Sequence, residues 1–419
     1  MSFAQRLGAV MLTGVALVAS ACGGGTATPS GSAPASPSPT PTGAAAKTVK
    51  IWSSLPMTGS SRTQTVQIVN AIKMALEEIN SKVGNTTITF EALDDATAAK
   101  QSWDAAQESE NAKKAIADKS TVAYIGTFNS GAAKVSIPLL CAAGIVMISP
   151  ANTYPGLTKP GKGEADEPGK YYQGCTHNYF RVVPADDIQG AVGAVWLQSL
   201  GAKKVYIVHD TQLYGKGIAD VFRAKWKSIG GAEAGYEGAE KADNYISLVN
   251  KIQGSGADAV YYGGIVDNNP AVLLSNLRAK LPNIIFMGPD GINCSEFLKA
   301  AGPAATDKTY STFGGLPPEK YTGKALDWLG RYKAKFAGVT PDAYAIYGYE
   351  AALAAINAIK TASDPTAANV LKNVAGTKDF DGVLGKWTFD ANGDTSLTTM
   401  SGTVAKSGSW TFVKELAAQ

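Results

Sequence analysis

Residues able to do covalent chemistry are scarce in this chain. A hydrolase needs a nucleophile with a base in hydrogen-bond reach, yet the sequence holds no GxSxG elbow, no HExxH pair and only two histidines, His177 and His209. His209 follows an apolar strand and reads as a structural histidine at a sheet end, while His177 falls in a loop-like stretch and is expected in solvent. Asp94-Asp95 and Asp186-Asp187 could pair as catalytic carboxylates, but each fits a turn or a helix start better, where a carboxylate meets the positive dipole end. Tyr214-Gly215-Lys216-Gly217 is too short for a phosphate cradle, and no GxGxxG follows a strand. A secreted hydrolase is the weakest reading, and no cofactor is implied.

The polar residues suit binding better. Holding a zwitterion requires donors for a carboxylate and acceptors for an ammonium in a cleft kept from water. Phe128-Asn129-Ser130-Gly131 closes a strand and opens a helix, so the Ser130 hydroxyl and the backbone N–H groups around Gly131 could grip a carboxylate; a simple N-cap would use the same residues. Asn152 and Thr153 stand at a second strand end, where an ordinary turn is the competing reading. Asp290, in Gly288-Pro289-Asp290-Gly291, is the candidate ammonium partner or else a turn aspartate before glycine. Tyr214 could reach across a cleft and close over the ligand. Arg62 would favour an acidic or polar solute if it points inward and is a solvated loop charge if it does not.

Such groups need a frame. From residue 47 apolar runs alternate with helical periodicity: strands at 48–54 and 86–93, helices at 64–82 and 100–118, strand 121–126, helix 131–142, strand 145–150. A β-α-β-α order predicts a parallel sheet with helices on both faces. A loop-like stretch at 152–178 interrupts the pattern, which resumes near 187 and runs through strands at 203–210, 258–264 and 283–291 as a second lobe of like construction. Two helical stretches at 323–337 and 344–362 and a strand-rich end complete it. The chain has 419 residues, more than one core ordinarily holds, which agrees with two lobes. The candidate binding residues fall beyond the carboxyl ends of strands, where open α/β sheets hold ligands. Lys plus Arg number 38 against 35 for Asp plus Glu, so the net charge of +3 makes no case for nucleic acid.

The first 46 residues read as an address. Arg6 precedes an apolar run that is too short to span a membrane, then small residues lead to Cys22. Val18-Ala19-Ser20-Ala21-Cys22 resembles a bacterial lipobox, which makes 1–21 a signal peptide and Cys22 a lipidated terminus; Ala19-Ser20-Ala21 also fits ordinary signal peptidase. Residues 22–46, rich in Gly, Pro, Ser and Thr, are expected to be an extended tether. Export permits disulfides. Cys141–Cys175 is the favoured pair because it would staple the stretch between them, with two buried thiols as the alternative; Cys294 is then free.

The segments IVMISPANTYPGLT, YFRVVPADDIQG, VYIVHDTQLYGKGIA, AVYYGG and FMGPDG, in this order, resemble the branched-chain amino-acid-binding (leucine/isoleucine/valine-binding type) family of ABC transporter substrate-binding proteins, over residues 49–412. The resemblance implies a type I periplasmic-binding fold: two Rossmann-like α/β lobes with parallel sheets joined by three crossovers, near 182–185, 312–315 and 383–386. The lobes would be 47–183 plus 313–385 and 186–310 plus 386–417. It implies that Ser130, Asn152 and Thr153 hold the α-carboxylate and amino group from the first lobe and that Tyr214 and Asp290 complete the site from the second. It further implies a monomeric, non-enzymatic receptor anchored outside the cell membrane, closing on an amino-acid-like solute and passing it to ABC permease subunits. A sensory lipoprotein of the same fold is the alternative. Aromatic residues that often line this family's side-chain pocket are replaced around Arg62–Thr65 and at Ile265-Val266, which leaves the solute's side chain open.

Overall fold

The computed structural model describes residues 46–417, so the expected signal peptide, the tether up to residue 45 and the lipidation of Cys22 lie outside the described residues. Strand and helix alternate in the first lobe as the apolar runs require. β1 (Lys47–Leu55) leads to α1 (Arg62–Glu78), then β2 (Lys82–Val83) and β3 (Thr86–Asp94). A hairpin of β4 (Ala96–Thr97) and β5 (Ser102–Trp103) precedes α2 (Ala105–Ala117), β6 (Thr121–Gly126), α3 (Ser130–Ala142), β7 (Val146–Ser149) and β8 (Tyr179–Arg181). The sheet order is β2-β3-β1-β6-β7-β8, and only the short β2 runs antiparallel to its neighbour. β6 is buried at every residue, as a central strand covered on both faces must be.

The helix expected at 100–118 starts later. Asp104 accepts the N–H groups of Ala106 and Gln107 at 2.9 and 3.0 Å, so α2 begins at Ala105, while the residues before it turn back as the β4–β5 hairpin.

The second lobe carries α4 (Asp186–Ser199), β9 (Lys204–His209), α5 (Leu213–Ser228), β10 (Ala232–Gly238), α6 (Ile246–Ser255), β11 (Ala259–Gly263), α7 (Pro270–Lys280), β12 (Ile285–Gly288), α8 (Ser295–Ala301) and β13 (Thr309–Gly314). The chain then returns to the first lobe for α9 (Gly323–Lys335), α10 (Ala345–Thr361), α11 (Ala367–Ala375) and the hairpin β14 (Phe380–Gly382) and β15 (Gly385–Trp387). It ends in the second sheet with β16 (Met400–Lys406) and β17 (Ser409–Leu416), in the order β10-β9-β11-β12-β13-β16-β17. This sheet is mixed where a parallel one was expected: β16 lies antiparallel to β13 and to β17. Ser407 and Gly408, with φ of 48° and 75°, make the tight turn that forces the final strand back alongside its predecessor.

The first passage between lobes follows β8 and runs through 182–185, and the second follows β13 at Gly315, whose φ of 97° suits glycine. The third comes later than 383–386. Trp387 and Phe389 are buried in the first lobe's core, Phe389 packs on Phe180 at 5.1 Å, and Asp394 bridges Arg181, so the chain crosses only between Asp394 and Met400. Residues 386–394 therefore lie with the first lobe, and 313–314 belong to the second lobe's sheet. α10 is buried along most of its length against α1; a Cβ on Gly348 would come within 2.6 Å of Ile68 Cγ2, and that close approach is why a glycine sits there. Cys141, near the end of α3, is bonded to Cys175 with Cα atoms 5.7 Å apart, and the Cys294 thiol is free and buried.

Glu108, Glu350 and Asp210 are buried and Asp342 is half-buried, and none of these four carboxyls forms an ion pair among the described residues. Burial pushes Glu108 and Glu350 up to about 7 and Asp210 and Asp342 up to about 6. Each folded-state value lies above its unfolded value near 4, so the native state holds more protons than the unfolded chain between about pH 4 and 7. Their contribution is complete below the unfolded values and is lost as pH rises through the folded ones. The melting temperature is expected to fall as pH is raised from about 5 to 7.5, which thermal unfolding in matched-ionic-strength buffers checks; a rise across that window would contradict it.

Candidate ligand-binding site

Two strand-end loops of the first lobe and three segments of the second meet at a small cavity of about 20 Å³. Its walls include Phe128, Asn129, Ser130, Ala151, Thr153 and Tyr344 from the first lobe and Tyr214, Ile265, Asp290 and Gly291 from the second. No Lys, Arg or His is among these lining residues.

On the first-lobe side, β6 ends and α3 opens at Ser130, so the positive end of that helix lies at the cavity. The Ser130 hydroxyl accepts the Tyr154 N–H at a long 3.4 Å, which leaves it free to donate. Beyond β7, the Ser149 hydroxyl shapes the turn: it accepts from the N–H groups of Ala151 and Asn152 at 3.1 and 2.8 Å and donates to the Thr127 carbonyl at 3.0 Å. That turn presents Thr153, whose hydroxyl is buried without a partner.

On the second-lobe side, Asp290 follows β12 and accepts three hydrogen bonds. Gln189 Nε2 and Tyr214 Oη each donate to Oδ1 at 2.8 Å, and Tyr344 Oη donates to Oδ2 from the opposite lobe. Tyr214 is itself fixed by the Gly291 N–H, 3.1 Å from its oxygen. Asp186, at the start of α4, is fully buried beside this group, and neither of its carboxylate oxygens has a hydrogen-bond partner. Burial and the neighbouring Asp290 carboxylate push Asp186 well above the usual carboxylate range; Thr153 and Arg181 are close enough to oppose the rise, although no hydrogen bond of normal geometry joins Asp186 to Thr153. Burial also raises Asp290, against the hydrogen bonds from Tyr344, Tyr214 and Gln189. Arg181 relieves Asp186 only in part, because its guanidinium is engaged with Asp394 at 2.6 Å.

Ser130, Thr153, Tyr214 and Asp290 are thus brought together, and three other candidates are not. Asn152 lies behind the wall: its Nδ2 donates to the Phe128 carbonyl at 2.9 Å and its Oδ1 accepts from Tyr179 at 3.1 Å, so it braces the two loops against each other. Gly131 does not line the cavity, since the Trp103 ring occupies the space its missing side chain leaves, 2.5 Å from where a Cβ would sit. Arg62 opens α1 on the exposed side of the turn from Gly59, and the buried position beside it is Ser61. His209 Nδ1 accepts the Thr211 N–H at 3.1 Å, and His177, expected in solvent, is partly buried between Tyr172 and Phe180; neither lines the cavity.

Sequence reasoning missed Tyr344, Gln189 and the burial of Asp186. A signal for two of them was present: Asp186 and Gln189 are three apart in the first turn of α4, hence on one face. Tyr344 comes from the returning segment and carries no local mark. The lobes are closed over the cavity. Asp267 of the second lobe accepts from Ser61 and Ser102 of the first at 2.8 and 3.0 Å, Trp103 Nε1 donates to Gln212 at 2.8 Å, and Thr63 donates to Glu296 at 2.8 Å.

The arrangement offers the Asp290 carboxyl, with Asp186 buried beside it, opposite a helix N-terminus and hydroxyl donors, with no nucleophile and base placed together among the lining residues. The profile of the periplasmic binding protein family matches residues 48–409. A "Leu/Ile/Val-binding protein homolog 2" of Brucella abortus is 29% identical over 360 residues, which covers 85% of this chain and 90% of that protein. An "amino acid binding protein" of Pseudomonas aeruginosa is 31% identical over 351 residues, covering 82% and 86%. In fold the chain is similar to a leucine binding protein from Thermotoga maritima, with a TM-score of 0.77 at 24% identity, covering 88% of this chain and 98% of that one.

Proposed function

Because the chain belongs to the periplasmic binding protein family, in its type I fold, we propose that it captures a free α-amino acid between its lobes and delivers it to the membrane subunits of an ABC importer. It does so as an exported monomer, held to the outer face of the cell membrane by a lipid on Cys22, and leaves the solute chemically unchanged. The observation that supports this most directly is Asp290, a buried carboxyl in the cavity wall without an ion-paired cation, backed by the buried Asp186 and facing the wall that carries the α3 N-terminus. An ammonium supplies the missing charge, and a carboxylate supplies an acceptor for the Ser130 hydroxyl at the positive end of α3. Thr153, unpartnered between the two, can serve either end. Closure about the three connecting segments then removes the charges from water.

A thermal-shift series tests the head group. Free α-amino acids are expected to raise the melting temperature with concentration, since stabilisation grows as RT ln(1 + [L]/Kd), whereas the N-acetyl and methyl-ester forms of the same compounds do not. Equal stabilisation by the blocked forms would refute the zwitterion reading. Delivery is tested separately: uptake of the labelled ligand falls when the protein is deleted, and unchanged uptake would leave a receptor without a transport role.

A further inference from the structure

Asn129 stands at the N-cap of α3, where an asparagine side chain ordinarily accepts the N–H of the second or third helical residue. Here it makes no such bond. The residue is only 5% exposed, it lines the cavity between Phe128 and Ser130, and its Oδ1 is buried with no partner. A side chain that forgoes its own helix end and is sealed in a cavity wall without a partner is waiting for one.

The head group of the proposed ligand does not need it. Asp290, with Asp186 buried beside it, answers an ammonium, and Ser130, Thr153 and the helix N-terminus answer a carboxylate. The remaining lining is largely apolar, with Phe128, Ile265 and the Tyr344 ring, so Asn129 is the polar feature of a wall otherwise suited to hydrocarbon. We propose that Asn129 reads the side chain of the bound amino acid and selects one that carries a hydroxyl or carboxamide over a hydrocarbon side chain of the same size. This rests on reading the site as an amino-acid receptor.

The physical basis is the asymmetry of buried hydrogen bonds. An alkyl side chain closing on Asn129 strips water from the carboxamide and returns nothing, whereas an O–H or N–H replaces what was lost. A carboxamide both donates and accepts, so hydroxyl and amide side chains suit it alike.

Calorimetry on the full chain with near-isosteric pairs, threonine against valine and asparagine against leucine, tests the proposal. The polar member of at least one pair is expected to bind about tenfold tighter or more, and Asn129→Leu is expected to abolish or reverse that ratio. Asn129→Ser, which is shorter and keeps a hydroxyl, serves if the leucine variant does not fold. If amino acids bind but neither pair is discriminated in the parent protein, the inference is overturned. It is equally overturned if the variants weaken every amino acid by one common factor, which would place Asn129 on the head group. If no amino acid binds, the receptor reading itself falls.

Discussion

Asp290→Asn is expected to weaken binding of the α-amino-acid ligand by more than a hundredfold while leaving the unliganded protein at least as stable as its parent. The two halves of this result have one cause. With ligand bound, removing one partner of a buried charge pair costs about 3–5 kcal/mol, and each 1.4 kcal/mol is about tenfold in affinity. Without ligand, the Asp290 carboxylate is buried beside Asp186 with no cation, so neutralising it relieves rather than strains the fold. Asparagine retains an acceptor for Gln189 and Tyr214, and the Tyr344 hydroxyl can turn to accept from the new amide. Isothermal calorimetry and thermal melting of the same preparation measure both. Parent-like affinity would remove Asp290 from the ammonium site.

Asp394→Ala is expected to cost about 3–5 kcal/mol of folding stability and, with it, ligand affinity. Arg181 is fully buried; its Nε donates to Asp394 at 2.6 Å, its Nη1 to the carbonyls of Tyr154 and Asn152 at 2.8 and 3.3 Å, and its Nη2 to the Thr158 hydroxyl. The guanidinium therefore props the segment that presents Thr153 and also ties down the last stretch of the first lobe before the third crossing. Removing Asp394 leaves a buried cation with carbonyls and a hydroxyl but no carboxylate in ion-pair contact. Burial alone would raise the Asp394 carboxyl, yet Arg181, Lys159 and Thr158 hold it below the usual carboxylate range. Its contribution is present above the unfolded value near 4 and lost as pH falls through the lower folded value, so the acid limb of the stability profile should flatten in the variant. Urea unfolding at several pH values reads this as a drop in midpoint at unchanged m.

Much of this was legible in the residues. Alternating apolar runs set the two α/β lobes, and the rule that ligands sit beyond strand carboxyl ends brought Ser130, Thr153, Tyr214 and Asp290 to one place. What escaped depends on contacts between distant segments. Tyr344 reaches the cavity only because the chain returns to the first lobe after β13. Asn152 sits between cavity-lining neighbours, and whether its side chain faces the cavity or the strand behind depends on Tyr179 and the Phe128 carbonyl. The third crossing was placed early because short alternating β-like segments do not say which core they enter; Trp387 and Phe389 enter the first lobe's, against Phe380 and Phe180. Arg62 drew notice by its charge, while the buried Ser61 beside it makes the contact across the cleft.

The bonds that Asp267 accepts from Ser61 and Ser102 bear on time as much as on geometry. These bonds join the lobes beside the cavity, so capture of a solute there is expected to wait on the protein's own opening. In stopped-flow mixing the observed association rate is expected to climb with ligand concentration and then level off at the opening rate. Asp267→Ala is expected to raise that ceiling, making the receptor quicker to load and quicker to empty.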